Sequence, residues 1–283
     1  MNIAVTKATI ISLAAILLLT LIISKLCIKL LIKMLREAGC IKMNYRGKEV
    51  TFAVGIAFVP IILTMSLFYL YFSPSYYIIY VSYLIGVSTI GFAGILDDMI
   101  GEMDIKGLKN HIGSFLHGHL TTGFIKAFIG GLISSIISIG ISKNISDFLL
   151  NVLIIAFFTN TLNLMDLRPG RCAKTFLFVG IFIFISNITS IISILPLGIT
   201  LTIVIVYIFY DLKELCMLGD TGSNILGITL GYYSALCYHV SIKLIIIFTL
   251  LIINITAERI SITTIISKNR ILNYLDSLGR SNG

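Results

Sequence analysis

The chain has 283 residues, of which 57% are hydrophobic and only 12% charged, with a mean hydropathy of +1.02. Soluble domains carry roughly 25% charged residues, so this composition excludes an ordinary soluble enzyme and indicates an integral membrane protein. The net charge of +8 reads as a topology signal, and no nucleic-acid partner is expected.

A membrane helix needs about 20 apolar residues. Nine segments qualify as candidate spans, at 8–32, 51–72, 76–96, 123–142, 147–165, 174–191, 194–210, 221–239 and 243–262. The division between the sixth and seventh rests on the mildly polar stretch from Asn187 to Pro196. The first run is too long for a signal peptide and lacks a small-residue cleavage site, so it is expected to remain as the first span. No loop is long enough for a second domain, which predicts one all-α membrane helix bundle over residues 1–283.

Charge sets the orientation. The connections after odd-numbered spans, together with the tail, hold 18 of the 21 basic residues, leaving Lys7, Lys143 and Lys243 on the other side. The positive-inside rule makes the basic side cytoplasmic, with the N-terminus outside and the C-terminus inside. Twelve of the 13 acids fall on that same side, Asp147 being the exception. The rule does not require this, so the polar chemistry is expected at the cytoplasmic face, from loops 33–50, 97–122, 166–174 and 211–223 and the tail 259–283. The five cysteines show no metal-binding spacing, and no internal repeat with broken helices points to a transporter.

In chain order, Asn44-Tyr45-Arg46-Gly47-Lys48 comes first, with Thr51 and Gly55 after it. Arg46 and Lys48 are either a charged stop at the membrane boundary or part of a binding loop. The second motif, Gly91-Phe-Ala-Gly-Ile-Leu-Asp97-Asp98, ends an apolar run in two adjacent carboxylates. Such a pair repels itself unless it meets water or a cation, and oxygen ligands suit Mg²⁺. The alternative is a pair of solvated loop acids. The segment that follows carries His111, His117 and His119. It lacks the further ligands of a closed zinc site and is expected to lie at the interface, with Ile112, Phe115 and Leu116 dipping into lipid.

The third motif runs Asn160-Thr-Leu-Asn163-Leu-Met-Asp166-Leu-Arg168-Pro-Gly-Arg171-Cys-Ala-Lys174. Asn160 and Asn163 are three residues apart and share a helix face, and Asp166 continues it. Arg168 and Arg171 flank a Pro-Gly turn as a fork suited to pyrophosphate; a basic loop serving topology alone is the alternative. The fourth is Leu218-Gly-Asp220-Thr-Gly-Ser223, where Asp220 either caps a helix or holds a metal, with glycines letting the backbone approach a phosphate.

These motifs, in this order and each at the inner end of a span, resemble the polyprenyl-phosphate N-acetylhexosamine-1-phosphate transferases. That family includes the phospho-N-acetylmuramoyl-pentapeptide transferases and the enzymes that start teichoic acid and O-antigen synthesis. The resemblance covers about residues 10–262 and is carried by Gly91–Asp98, Asn160–Asp166 and Leu218–Ser223. It implies transfer of a sugar-1-phosphate from a UDP-activated N-acetyl amino sugar to undecaprenyl phosphate at the plasma membrane, with UMP released and Mg²⁺ required. It further implies that Asp97 or Asp98 assists the lipid phosphate and that Asp220 holds Mg²⁺, with Asp98 beside it. Asn163 and Asp166 would then lie near the donor, with Asp166 expected as catalytic beside Asp97 and Asp98, and the family suggests a homodimer; the residues themselves add Asn160, Arg168, Arg171, Lys174, Arg46 and Lys48 as candidate substrate-binding groups. The chain is a divergent member. Where the family continues Asp-Gly-x-Asp-Gly, it reads Asp166-Leu-Arg-Pro169-Gly-Arg171, and no histidine follows His239. Competing readings are a non-catalytic polyprenyl-phosphate-binding protein or scaffold of an envelope-synthesis complex, and a transporter. A transporter would need ionisable groups near the bilayer midplane.

Overall fold

Within a bilayer every backbone N–H and C=O must be satisfied inside its own segment, so long apolar runs fold as helices. The computed structural model describes residues 7–72, 74–100, 113–114, 117–119 and 121–280. The expected interfacial contacts of Ile112, Phe115 and Leu116, and the loop residues Lys106, Lys109 and His111, lie outside the described residues.

Among the described residues nine α-helices have 15 residues or more. They are α1 (Lys7–Glu37), α2 (Phe58–Phe72), α3 (Tyr77–Ile100), α4 (Thr122–Ile139), α5 (Ile145–Met165), α6 (Arg171–Ser186), α7 (Leu195–Leu212), α8 (Gly219–Cys237) and α9 (Val240–Arg259). Two short helices follow, α10 (Ile262–Lys268) and α11 (Arg270–Ser277). The chain is therefore a helical membrane bundle. The Asn187–Pro196 stretch is a real break, with a single 3₁₀ turn at Ile188–Ser190 and Pro196 in the first turn of α7.

Among the described residues six segments are long and apolar enough to cross a membrane: α1, α3, α5, α7, α9 and Val54–Phe72 around α2. The remaining three, α4, α6 and α8, were also expected as spans. The apolar part of α4 is shorter (Gly123–Ile139), α6 has only 16 residues, and α8 is 19 residues long but rich in Gly, Ser, Thr and Asn. Burial explains α8. Every residue from Thr221 to Ala235 is buried, so neighbouring helices, rather than lipid, select its side chains.

α8 is the central helix, packed most closely on α5 and α3. Gly227 and Gly231 make the first contact possible: a Cβ at either would lie 2.4 Å from Thr159 Cα or 2.5 Å from Ile155 Cα. This is the small-x-x-x-small spacing that lets membrane helices approach backbone to backbone. Gly94 does the same for α3, since a Cβ there would lie 2.5 Å from Thr221 Cα. The glycine of the Gly-Ile-Leu-Asp-Asp run thereby brings the end of α3 against the start of α8.

Among the described residues one hairpin is not helical. Ile41–Met43 (β1) and Glu49–Thr51 (β2) pair antiparallel in the register Ile41↔Thr51 and Met43↔Glu49. Strands of three residues carry too little alternation to be legible in sequence. The Asn44 Oδ1 atom accepts the N–H groups of Arg46 (2.9 Å) and Lys48 (3.0 Å), closing the turn. The chain after β2 then lies along the α7–α8 connection, where Met217 N–H donates to Thr51 O at 2.7 Å and Gly55 N–H to Leu218 O at 2.9 Å.

Contacts between helix ends fix the path. Asp98 near the end of α3 meets the start of α8, as do Lys126 near the start of α4 and Asn163 near the end of α5. Arg171 at the start of α6 meets the tail after α9. Consecutive helices thus alternate direction, and the motif-bearing ends gather at one end of the bundle. At the far end, Asp147 near the start of α5 meets Lys243 near the start of α9.

Candidate active site

Three acidic motifs separated by more than 50 residues meet at the site end. The two adjacent aspartates have different surroundings. Asp98 is buried, and its Oδ1 accepts the Asp220 N–H at 2.8 Å. Its Oδ2 accepts the Thr221 N–H at 3.0 Å and the Thr221 hydroxyl at 2.7 Å. A helix N-terminus presents unsatisfied N–H groups and partial positive charge, and Asp98 satisfies both from another helix. The expectation of Asp98 as a metal ligand therefore meets a carboxylate already engaged as the cap of α8, while Asp220, read as a cap or a ligand, leaves the capping to Asp98. The Asp98 carbonyl in turn accepts from Lys42 Nζ at 3.2 Å, and that ammonium sits over the Phe52 ring at 4.1 Å.

Asp97 and Asp220 face a common cation, Lys126. Its Nζ lies 3.3 Å from Asp97 Oδ2 and 3.0 Å from Asp220 Oδ2. Turning the Asn163 amide to suit its neighbours places its oxygen 2.9 Å from Lys126 Nζ, while its nitrogen donates to Asp220 Oδ1 and to Ser223 Oγ. Burial raises the Asp220 carboxyl well above the ordinary range, and the adjacent Asp97 carboxyl raises it further, with Lys126 opposing both. Asp220 thus sits where its charged form is disfavoured even with Lys126 beside it. Lys126 stands at the centre of this cluster and was not singled out in the sequence. The available signal was a lysine four residues into a short apolar helix, where a charge needs a partner.

Asp166 follows the end of α5, where the helix dipole is unfavourable to an acid. Burial raises its carboxyl well above the ordinary value, as do Asp211, Asp220 and Asp98, against one hydrogen bond from Gly219 N–H. Asp166 and Asp211 line a cleft with Asn44, Tyr45, Arg168 and Met217. The Arg168 guanidinium stacks 4.0 Å from the Tyr45 ring centroid, so this arginine is at the cleft. The hairpin wall is held by Glu214, a buried residue at φ +53 that accepts from Asn44 Nδ2 (3.1 Å) and Tyr45 Oη (3.2 Å) and pairs with Arg46 (3.4 Å). Those contacts hold a non-glycine residue in the left-handed region, which costs about 1–3 kcal/mol. Arg46 is therefore tied to the α7–α8 connection, and Lys48 is exposed on the hairpin turn.

Other expected site residues face elsewhere. The Asn160 Nδ2 donates to Asn254 Oδ1 at 2.5 Å, and Asn254 donates to Thr161 Oγ1 at 2.9 Å, so Asn160 joins α5 to α9. Arg171 is buried, with Nε and Nη2 donating to the two Asp276 oxygens at 2.8 and 2.9 Å and Nη1 to Thr263 Oγ1 at 3.0 Å. Arg280 adds a bond to Asp276 at 2.8 Å, and Lys174 Nζ donates to the carbonyls of Leu275 and Asp276. The guanidinium expected in a pyrophosphate fork, and the tail arginine beside it, instead clamp the tail onto the α5–α6 loop.

Burial would raise the Asp276 carboxyl, but the hydrogen bonds from Arg171 and Arg280 outweigh it and hold it at about 2. A depressed carboxyl stabilises the fold fully above its ordinary value of 3.8 and loses that contribution as pH falls through about 2. Asp276→Asn removes the charge at every pH. Trypsin cleavage at Arg259, Lys268 and Arg270 is expected to speed up on the order of tenfold, as for loss of a partly buried, partly screened pair. An unchanged cleavage rate at pH 7 would show that the clamp does not hold the tail.

No protein-family model matches the chain, and a search of curated proteins finds no relative.

Proposed function

We propose that this protein is a Mg²⁺-dependent glycosyl-1-phosphate transferase of the plasma membrane, serving cell-envelope polysaccharide synthesis. It moves a sugar-1-phosphate from a UDP-activated N-acetyl amino sugar to undecaprenyl (polyprenyl) phosphate and releases UMP. In this reading all nine long helices are membrane-embedded, the N-terminus is outside, and the site end faces the cytoplasm. The observation that supports it best is the meeting of Asp97, Asn163 and Asp220 on one cation. Soluble nucleotide and membrane-bound lipid can both reach such a site only at the membrane surface.

The oxygen set suits Mg²⁺. Among the described residues no cluster of three or more His, Cys, Asp or Glu could hold a metal alone. Mg²⁺, however, commonly takes one or two carboxylates plus substrate phosphates. Asp97 and Asp220 would hold it, with the Asn163 amide oxygen beside them. When bound it would neutralise charge on the transferring phosphoryl group. The chain's own residues position the reactants. Asp98 fixes the start of α8 and hence Asp220. Lys126, paired here with Asp97 and Asp220, would give its charge to phosphate oxygens once a metal takes those carboxylates. Asp166, whose carboxyl is pushed up by burial, lines the cleft, and Arg168 and Tyr45 offer a stacked planar surface at its wall. An acceptor phosphate oxygen attacks the phosphorus that bears the sugar, and the bond from that phosphorus to the UMP oxygen breaks.

The second reading, a non-catalytic polyprenyl-phosphate-binding protein or scaffold, is favoured by one observation: Arg171 and Lys174 are closed on the tail. UMP release distinguishes the two. Purified protein in detergent is given a panel of UDP-N-acetyl sugars, with and without undecaprenyl phosphate and Mg²⁺. Release that requires both lipid and metal is expected. Absence of release from every donor, with polyprenyl phosphate still bound, would overturn the transferase reading in favour of the second.

A further inference from the structure

We propose that α11 lies in the headgroup–acyl boundary of an anionic bilayer, as an interfacial foot that pins the tail and the α5–α6 loop to the membrane surface. The inference rests on the membrane character of the bundle and not on the transferase reading.

Ile271, Tyr274, Leu275 and Leu278 are 72%, 65%, 51% and 51% exposed. Ile271, Tyr274 and Leu275, at i, i+3 and i+4, share one helix face, and Leu278 follows at the C-cap. Asp276 lies on the opposite face, where Arg171 holds it, and Arg280, beyond the helix end, reaches back to Asp276 and to the Pro169 carbonyl. The clamp therefore fixes the rotation of the helix about its axis, with the apolar stripe turned away from the protein. The Asn269 side chain caps the helix by accepting the N–H groups of Ile271 and Leu272, so its start is fixed as well.

Position in the fold names what covers the stripe. α11 follows α9 after one short helix, and it is anchored to the loop that follows α5. Both α5 and α9 are long and apolar enough to span, so helix ends that meet a membrane boundary hold the tail at that boundary. Lys268 and Arg270 are exposed at the start of α11, and cations beside an apolar stripe match anionic headgroups. Water would leave four large apolar side chains unburied; a lipid interface covers them and meets the flanking charges.

The chain contains no tryptophan, so one introduced tryptophan reports from one place. Tyr274→Trp puts it on the apolar stripe and Asn273→Trp on the polar face, both at exposed positions. The full-length variants are reconstituted in phosphatidylcholine–phosphatidylglycerol vesicles with and without dibrominated phosphatidylcholine. Tyr274→Trp emission is expected to be blue-shifted and quenched about twofold or more by the brominated lipid, as for burial in the interface, with little change for Asn273→Trp. Equal quenching of the two would overturn the proposed orientation. An unquenched, acrylamide-accessible Tyr274→Trp would place the stripe in water. A blue-shifted emission that brominated lipid does not quench would show a protein surface, such as a second copy, covering it. Either of these last two results overturns the proposal.

Discussion

Asp220→Asn is expected to lower lipid-dependent UMP release on the order of 10²–10³-fold, as for removal of one preorganised electrostatic contact in a transferase site, while leaving the melting temperature unchanged or higher. The second half of the expectation comes from how Asp220 is held. Its carboxyl is half-buried beside Asp97, and burial and that neighbour both push its pKa up, so its charged form is costly in the fold. Its backbone N–H, and not its side chain, is what Asp98 uses to fix α8. An amide at this position removes a repulsive charge and leaves the cap intact. Loss of activity without loss of stability is the signature of a group kept for function. Asp98→Asn gives the contrasting result. It puts an amide where three donors converge and leaves at least one N–H of α8 poorly paired, which costs about 1–3 kcal/mol, so melting temperature and activity fall together. Purified variants compared by thermal melting in detergent and by UMP release check both. Full release by Asp220→Asn would remove that residue from the chemistry and leave Asp97 and Lys126 as a structural ion pair.

The carboxylates of this site were legible because charge at the end of an apolar run is costly and therefore conspicuous. What joins them was less so. Lys126 reads as one more basic residue at an inner span end, and only the fold shows it between Asp97, Asn163 and Asp220. Asn160 and Asn163 share a helix face to within about 60° of rotation, which follows from 3.6 residues per turn. On α5 that angle is enough to send one to α9 and the other to α8. Arg171 shows a different limit. A guanidinium beside Pro-Gly suits a phosphate, but it suits a carboxylate equally, and Asp276 lies 105 residues further along the chain. The central position of α8 was legible only in part: its glycines and hydroxyls look weak for a lipid-facing span, and they are what a helix surrounded by protein uses.

The far end of the bundle carries the second large effect, and there it falls on stability alone. Lys243, Asp147 and Asn151 are 3%, 7% and 0% exposed. The Lys243 Nζ donates to Asp147 Oδ1 at 2.6 Å and to Asn151 Oδ1 at 2.7 Å. Asn151 Nδ2 donates to Ser142 Oγ at 2.9 Å, and Asp147 Oδ2 accepts the Lys143 N–H at 3.1 Å. The cluster therefore joins α5, α9 and the α4–α5 turn through one ammonium. Lys243→Ala leaves a buried carboxylate and a buried amide oxygen without that donor, and breaking a buried pair from one side costs about 3–5 kcal/mol. The double variant Lys243→Met with Asp147→Asn removes both charges, keeps an acceptor for the Lys143 N–H, and is expected to recover most of the loss. Nineteen residues of helix separate Asp147 from Asp166, about 28 Å at 1.5 Å per residue, so UMP release per folded molecule stays unchanged in both variants. Thermal melting with release normalised to the folded fraction tests this. A Lys243→Ala protein that melts with the parent would show that water enters the cluster and satisfies it. A fall in normalised release would mean instead that the two ends of the bundle are coupled through α5.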